Sequence, residues 1–239
     1  HVAEPGTWVP SELPERFGVL LRVVGPGTGR TSDVLLDALH RDDVVAGVVG
    51  ARARPGGATP AGHLALQLLQ RCRRPLVVVP PDAPLSPEEP PWRVLLPIEG
   101  DAAEAQAVME SVEPLLSPAV ELVVLHVLTD ETVPVIDHPE WGLRTWSDEF
   151  LARYCPIADR IDVRSGAVGP RIIDVADELA PDLIALSWGQ DASPGRAAVV
   201  RDVLSRSIRP VMLVPVRDRR SDAPDDAAEV RTASSGTGA

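Results

Sequence analysis

The sequence predicts an α/β fold: two repeats of a parallel, doubly wound sheet, the first repeat incomplete. Three observations carry this reading. Apolar runs alternate with amphipathic segments along most of the 239 residues, the order that builds a parallel sheet with helices on its faces. The series buried strand, small-residue loop, helix, buried strand occurs twice, over Asp182 to Val216 and over Val44 to Pro80. The helix faces of the two copies register at a constant offset of 135 residues: Ala65, Leu68, Leu69 and Cys72 fall on Val200, Val203, Leu204 and Ser207, and Pro75 falls on Pro210. An offset held over a whole helix and into the next strand marks an internal duplication.

Composition narrows the class. The chain is 44% hydrophobic but only 3% aromatic, so Val, Leu, Ala and Ile fill the core. A formal charge of -12 argues against the phosphate-neutralising surface that nucleic-acid binding requires. The local basic group Arg71, Arg73 and Arg74 sits at a predicted helix C-terminus, where cations answer the macrodipole. Two cysteines, Cys72 and Cys155, lie in different repeats with no paired histidine nearby, which speaks for a reducing compartment and against a disulfide or zinc framework. No apolar run approaches the roughly 20 residues of a spanning helix. The expectation is a cytoplasmic protein with no membrane and no nucleic-acid partner.

Taken in order, His1-Val2 reads as the tail of a strand, since Leu125-His126-Val127 stands at the matching point of the second repeat. The second repeat has a strand and helix before that point, roughly Arg93 to Val120. The first therefore lacks about one strand-helix-strand unit. Residues 3–17 are a loop rich in proline, Gly18 to Val24 a strand, and Thr31 to His40 a helix capped by Thr31 or Ser32 with Val34, Leu35 and Leu39 inward. Gly25 to Thr31 lacks both the Walker spacing and its Lys, and reads as a strand-to-helix turn. The strand Val44 to Val49, a loop from Gly50 to Ala61 and a helix from Gly62 to Arg73 complete a domain over residues 1–80.

Residues 81–92 form a proline-rich linker of semi-rigid, extended character. A second domain, 93–216, opens with Val94 to Ile98, then Glu99-Gly100-Asp101 and a helix with Ala105, Val108, Met109 and Val112 on one face. Leu122 to Val127 is its second strand. Residues 128–145 form a long excursion carrying Trp141, with Trp146 just beyond it, before a helix near Ser147 to Tyr154. A strand at Ile161 to Val163 precedes a helix with Pro170 near N1 and Ile172, Ile173, Ala176 and Leu179 inward. The 217–239 tail has almost nothing to bury and reads as disordered. Ligands of such a sheet sit outside the carboxyl ends of the strands, here the loops after Ile98, Leu186 and Val49.

Several features together resemble the universal stress protein family. They are a strand ending in an acidic residue and Gly, a strand ending in Leu-His-Val, and Asp182-Leu183-Ile184 followed by a small-residue loop. A final helix runs into Pro210-Val211-Met212-Leu213-Val214-Pro215. The resemblance covers 93–216 completely and 1–80 as a truncated copy, so it implies a tandem member with a Rossmann-like, adenine nucleotide alpha hydrolase-like fold. ATP-binding members carry Gly-x-x-Gly, nine residues, then Gly-Ser/Thr, with an Asp ending the first strand. Glycines let backbone N–H groups approach phosphates at a helix N-terminus.

In the first repeat the resemblance places Gly50, Gly56, Gly57, Gly62 and His63 at such a loop, with Ala53 at the second Gly and His63 in place of Ser/Thr. In the second it places Glu99, Gly100, Val127, Ser187 and Gly189. Glu99 replaces the Asp, Ser187 the first Gly, and Ala197-Ala198 the phosphate-contact pair. The second loop thus reads as degenerate, and the first as the place for ATP or AMP if either binds.

Catalysis finds little support. Ala185-x-Ser187-x-Gly189 mimics a nucleophile elbow, but no histidine follows His138 to act as base. His126, His138 and Glu140 have no metal-ligand spacing, and His126 reads as a hydrogen-bonded strand-end residue. The sequence therefore predicts a non-enzymatic stress-response module. The resemblance further implies that its repeats pack as an intramolecular pseudo-dimer through Leu76 to Val79 and Val211 to Val214, which would cover two apolar edge strands. Two functions remain open: a nucleotide-responsive regulator, or a nucleotide-free module docking an unknown protein partner through the 128–145 excursion, with Trp141 and Trp146.

Overall fold

The computed structural model describes residues 30–51, 62–84, 92–115, 120–129, 139–190 and 197–216. Within these the amphipathic segments form α1 (Thr31–Leu39), α2 (His63–Arg71), α3 (Ala102–Val112), α4 (Pro139–Tyr154), α5 (Val168–Leu179) and α6 (Ala198–Arg206). The apolar runs form β1 (Gly47–Gly50), β2 (Leu76–Val79), β3 (Trp92–Pro97), β4 (Val120–Leu128), β5 (Arg160–Ser165), β6 (Leu183–Trp188) and β7 (Val211–Pro215). The expected terminal segments 1–29 and 217–239 lie outside the described residues, as do linker residues 85–91. No helix among the described residues is long and apolar enough to cross a membrane.

One mixed seven-stranded sheet joins the described strands in the order β1-β2-β7-β6-β3-β4-β5. The strands expected of each repeat pair in parallel, and the sheet they share is mixed at a single seam. Neighbours are parallel throughout except β2 and β7, which run antiparallel with Leu76 opposite Leu213, Val77 opposite Met212 and Val78 opposite Val211. The carboxyl ends of β1 and β2 therefore point to the opposite end of the sheet from those of β3 to β7.

Two apolar layers sandwich the sheet. On one face α3 and α4 bury Ala105, Val108, Val112 and Phe150 against Leu96, Val124 and Met212. On the other, Leu36 of α1, Leu68 and Leu69 of α2, Ile172 and Ile173 of α5, and Val203 and Leu204 of α6 cover Leu76, Leu95, Ile184 and Leu213. The register read from the sequence reappears in the elements. α2 and α6 begin at 63 and 198, and β2 and β7 at 76 and 211, the same 135-residue step, and all eight matched helix-face residues are buried. At β1 the first face is uncovered, and Val48 is 70% exposed.

Local expectations needed five corrections. Arg30, not Thr31 or Ser32, is the N-cap of α1, without a side-chain cap bond, and Ser32 and Leu36 are buried where Val34, Leu35 and Leu39 are only partly covered. At about 100° per residue, positions 32, 35, 36 and 39 share one stripe, and the core covers it most fully at 32 and 36. β1 starts at Gly47 rather than Val44, because Arg41 to Asp43 still belong to the turn after α1. α4 begins at Pro139, so much of the expected excursion is helix; proline is tolerated in a first turn that needs no N–H donor. In α5, Ala167 is the N-cap and Pro170 is the third helical residue, still inside that first turn. β5 runs over Arg160–Ser165, longer at both ends than Ile161 to Val163.

A charged tie holds the amino-end rim of the sheet. Arg93 Nε donates to Glu121 at 2.6 Å, Arg160 Nε donates to the other oxygen at 3.0 Å, and the Arg93 backbone N–H donates to Asp182. Burial raises the Glu121 pKa, but the hydrogen bonds and charges of Arg93 and Arg160 outweigh it and hold the carboxyl below its usual value. A depressed carboxylate pKa gives stability that is present above the unfolded value and lost as pH falls through the folded one. Urea unfolding should therefore show Glu121→Gln less stable than the parent at about pH 7, with the gap closing below about pH 4. A gap that does not narrow at all as pH falls from about 7 to about 3 would show that the carboxylate charge is not what the two arginines hold.

Candidate functional site

The chain runs β3 to β4 to β5 in one direction across the sheet and then returns to β6 and β7 on the other side of β3. This puts the topological switch point between β3 and β6, where open α/β sheets hold their ligands. Glu99 and Gly100 follow β3 directly, and Ser187 lies within β6 near its carboxyl end. Glu99 is exposed. Gly100 has φ +108°, a backbone region that disfavours side chains, and a Cβ there would stand 3.7 Å from the Phe150 ring. Asp101, next in line, is committed to the helix: its Oδ1 accepts from the backbone N–H groups of Ala103 and Glu104, capping α3.

Glu104 completes the mouth of the crevice. Ser187 Oγ donates to Glu104 Oε2 at 2.8 Å, joining β6 to the first turn of α3 across the switch point. The sequence reading missed this partner, 83 residues away. Trp188, the last residue of β6, and Gln190, two positions beyond it, turn to the other face and leave the crevice. Trp188 is buried, and its indole N–H donates to the Leu69 carbonyl at 2.9 Å. Gln190, three positions after Ser187, has φ +59° and donates its amide to the Cys72 carbonyl at 2.6 Å. Gly189 between them is exposed, with nothing within 4 Å of a Cβ placed on it. Ala197 is the buried N-cap of α6 and makes no side-chain cap bond.

Val127 is buried in the layer beneath α5, one position past the ring cluster at the end of β4. There His126 Nδ1 lies 2.8 Å from the Ile98 carbonyl, and its ring stacks at 4.6 Å from Phe150 and 5.1 Å from Trp146. The histidine is held as expected, by a hydrogen bond, although the strand continues to Leu128. In the other half, Gly50 ends β1 and Gly62 is the N-cap of α2, again without a side-chain cap bond. His63 is exposed and meets Gln67 at 2.9 Å. Gly56, Gly57 and Ala53 lie outside the described residues, as does His138. The Gly50 and Gly62 positions belong to the end of the sheet opposite the Ser187 crevice.

An elbow nucleophile is not formed. Ser187 sits inside β6, the left-handed backbone falls at Gln190 instead, and its hydroxyl faces a carboxylate with no imidazole. The thiols offer no alternative: burial pushes Cys155 up to about 11 and raises Cys72 as well, so both stay protonated and unreactive.

The universal stress protein family model matches residues 92–215, more than half of the chain. The chain belongs to the universal stress protein family. Among solved structures, a universal stress protein from Archaeoglobus fulgidus DSM 4304 is similar over 84% of this chain and 69% of that one, at 16% identity and a TM-score of 0.57. A functionally unknown protein from Pseudomonas aeruginosa PAO1 is similar over 85% and 74%, at 13% identity and a TM-score of 0.61. No curated relative matches in sequence. At these identities the structural likeness establishes the fold, and the family match establishes where in the chain its motif should be sought.

Proposed function

We propose that this protein is a non-catalytic, stress-responsive regulatory module of the universal stress family whose 92–216 half has a degenerate nucleotide loop. The observation that carries this reading is the Ser187–Glu104 hydrogen bond. A phosphate entering the switch-point crevice would meet a carboxylate that already holds the Ser187 hydroxyl, and like charges at such range repel strongly away from bulk water. Ala197 supplies no hydroxyl at the helix N-terminus to compensate. The two halves, read as a pseudo-dimer, are joined through Leu76 to Val79 and Val211 to Val214, a reading supported by the β2–β7 pairing.

Such a module acts through a protein partner. The 128–145 surface is a weaker docking candidate than the sequence suggests: Trp146 is half-buried against His126 and Phe150, and the Trp141 side chain lies outside the described residues. An alternative reading, ATP or AMP at Gly50, Gly62 and His63, is favoured by the bare N-terminus of α2, where Gly62 leaves the first N–H groups of the helix without a side-chain cap.

Mass spectrometry of small molecules released by mild denaturation separates these readings. The degenerate-loop reading expects no adenylate on the parent protein, or an adenylate that is lost on Gly62→Val and retained on Ala197→Val. An adenylate lost on Ala197→Val and retained on Gly62→Val would refute it.

A further inference from the structure

The outer side of β1 is shaped for a further strand. Among the described residues β1 ends the sheet, with β2 as its neighbour. Gly47 N–H donates to the Pro75 carbonyl and Ala51 N–H to the Val79 carbonyl, so positions 47, 49 and 51 turn their backbone groups toward β2. Those of Val48 and Gly50 alternate with them and point away, the row that a sheet edge offers to another strand.

The other half shows what such a place holds. Ile184 N–H donates to the Pro210 carbonyl as Gly47 N–H does to that of Pro75. Gly47 lies opposite Leu76, and Ile184 opposite Val211, so Val48 stands in its half where Ala185 stands in the other. Ala185 has no exposed surface: it packs in the layer that α3 and α4 build, and β3 runs parallel beside β6. Val48 is 70% exposed and Val45 is 63% exposed, apolar surface that a covering segment would gain by burying.

The chain carries a segment of the right chemistry and reach. Residues 18–24 read Gly-Val-Leu-Leu-Arg-Val-Val, apolar but for Arg22, and residues 25–30 join them to α1, within the roughly two to six residues of a strand-to-helix connection. Leu39, the last residue of α1, lies against Gly47, the first of β1: a Cβ on that glycine would stand 2.6 Å from Leu39 Cδ2. α1 thus returns the chain to the amino end of β1, as the helix of a strand-helix-strand unit does. The two strands of such a unit lie parallel, joined by a right-handed crossover, and consecutive strands are neighbours more often than not. One side of β1 is taken by β2, which leaves the side that Val48 and Gly50 face.

We propose that the outer edge of β1 is the docking place of this chain's own residues 18–24, which enter parallel to β1 as a further strand of the sheet, in the place that β3 takes beside β6. The backbone groups of Val48 and Gly50 recognise the segment, and its apolar side chains extend the cover over β1. The halves then differ in their crossovers. α5 leads from β5 to β6 past the intervening β3 and β4, whereas α1 joins adjacent strands.

Amide exchange and NMR contacts on the full chain test this. The Val48 amide should exchange within about tenfold of the Val49 amide, whatever the protein concentration, and should show nuclear Overhauser contacts to residues 18–24. Leu20→Pro and Leu21→Pro, made separately, remove neighbouring N–H groups, one of which must face β1 because they alternate along a strand. At least one of the two should speed Val48 exchange about tenfold or more while the amides of β3 and β4 keep theirs. A Val48 amide that exchanges freely, or protection that both proline variants retain, would overturn the proposal. Protection that appears only as protein concentration rises would overturn it too, by giving the edge to a second copy of the chain. The NMR contacts need no substitution, and their absence refutes the docking even where a proline variant folds poorly.

Discussion

Ile184→Ala is expected to destabilise the fold by about 2–5 kcal/mol. Ile184 has no exposed surface and is the second residue of β6, with Leu95 of β3 on one side and Val211 of β7 on the other. All three lie in the layer that α2, α5 and α6 cover. Strands on both sides and helices above leave the backbone little freedom to collapse into the vacated space, which is what places a truncation toward the top of that range. Chemical denaturation of the two proteins gives the number. A loss below about 1 kcal/mol, the scale of a site that relaxes freely, would mean that the centre of the sheet is not close-packed.

The same burial explains what the sequence made legible. Ala65, Leu68, Leu69 and Cys72 could be matched to Val200, Val203, Leu204 and Ser207 because each set is one apolar stripe at helical spacing, and a stripe facing a sheet tolerates no rotation. Val94 to Leu96 and Leu122 to Val127 read as strands because both faces are covered, which leaves a continuous apolar run. α1 gave a weaker signal. Leu35, Leu36 and Leu39 offer two overlapping stripes, and only the covering of Leu36 by the core distinguishes them. Pro139 hid the start of α4, since proline signals a break as often as a first turn.

The crevice was legible in place but not in content. Strand order fixes the switch point, so topology marked the loops after Ile98 and Leu186, and the resemblance named Glu99, Gly100 and Ser187 within them. Glu104 was not: a glutamate in the first turn of a helix has a sufficient explanation in the helix dipole, and its reach to Ser187 depends on how α3 lies across β6. Trp188 was passed over as a variable position between two loop residues. A signal was present, because a tryptophan two residues after Leu186 is unusual in a chain with only 3% aromatics, and a buried indole must find an acceptor. The sequence could not name that acceptor, since Leu69 lies 119 residues away.

The seam between the halves should behave as one packed unit. Leu76 of β2 and Leu213 of β7 stand opposite each other in the antiparallel register, each 1% exposed and in the same core cluster. Leu76→Ala and Leu213→Ala should each cost about 2–5 kcal/mol. The first substitution leaves space that the second residue already borders, so the double variant should lose less than the sum, with a coupling of about 0.5–3 kcal/mol. Val112→Ala is the control, because Val112 packs in the layer on the opposite face; paired with Leu76→Ala it should add to within about 0.5 kcal/mol. Additive losses at 76 and 213 would mean that the halves touch without sharing a core. Two separate unfolding steps would say the same in another way, since a residue lost from one half would then leave the melting of the other unmoved.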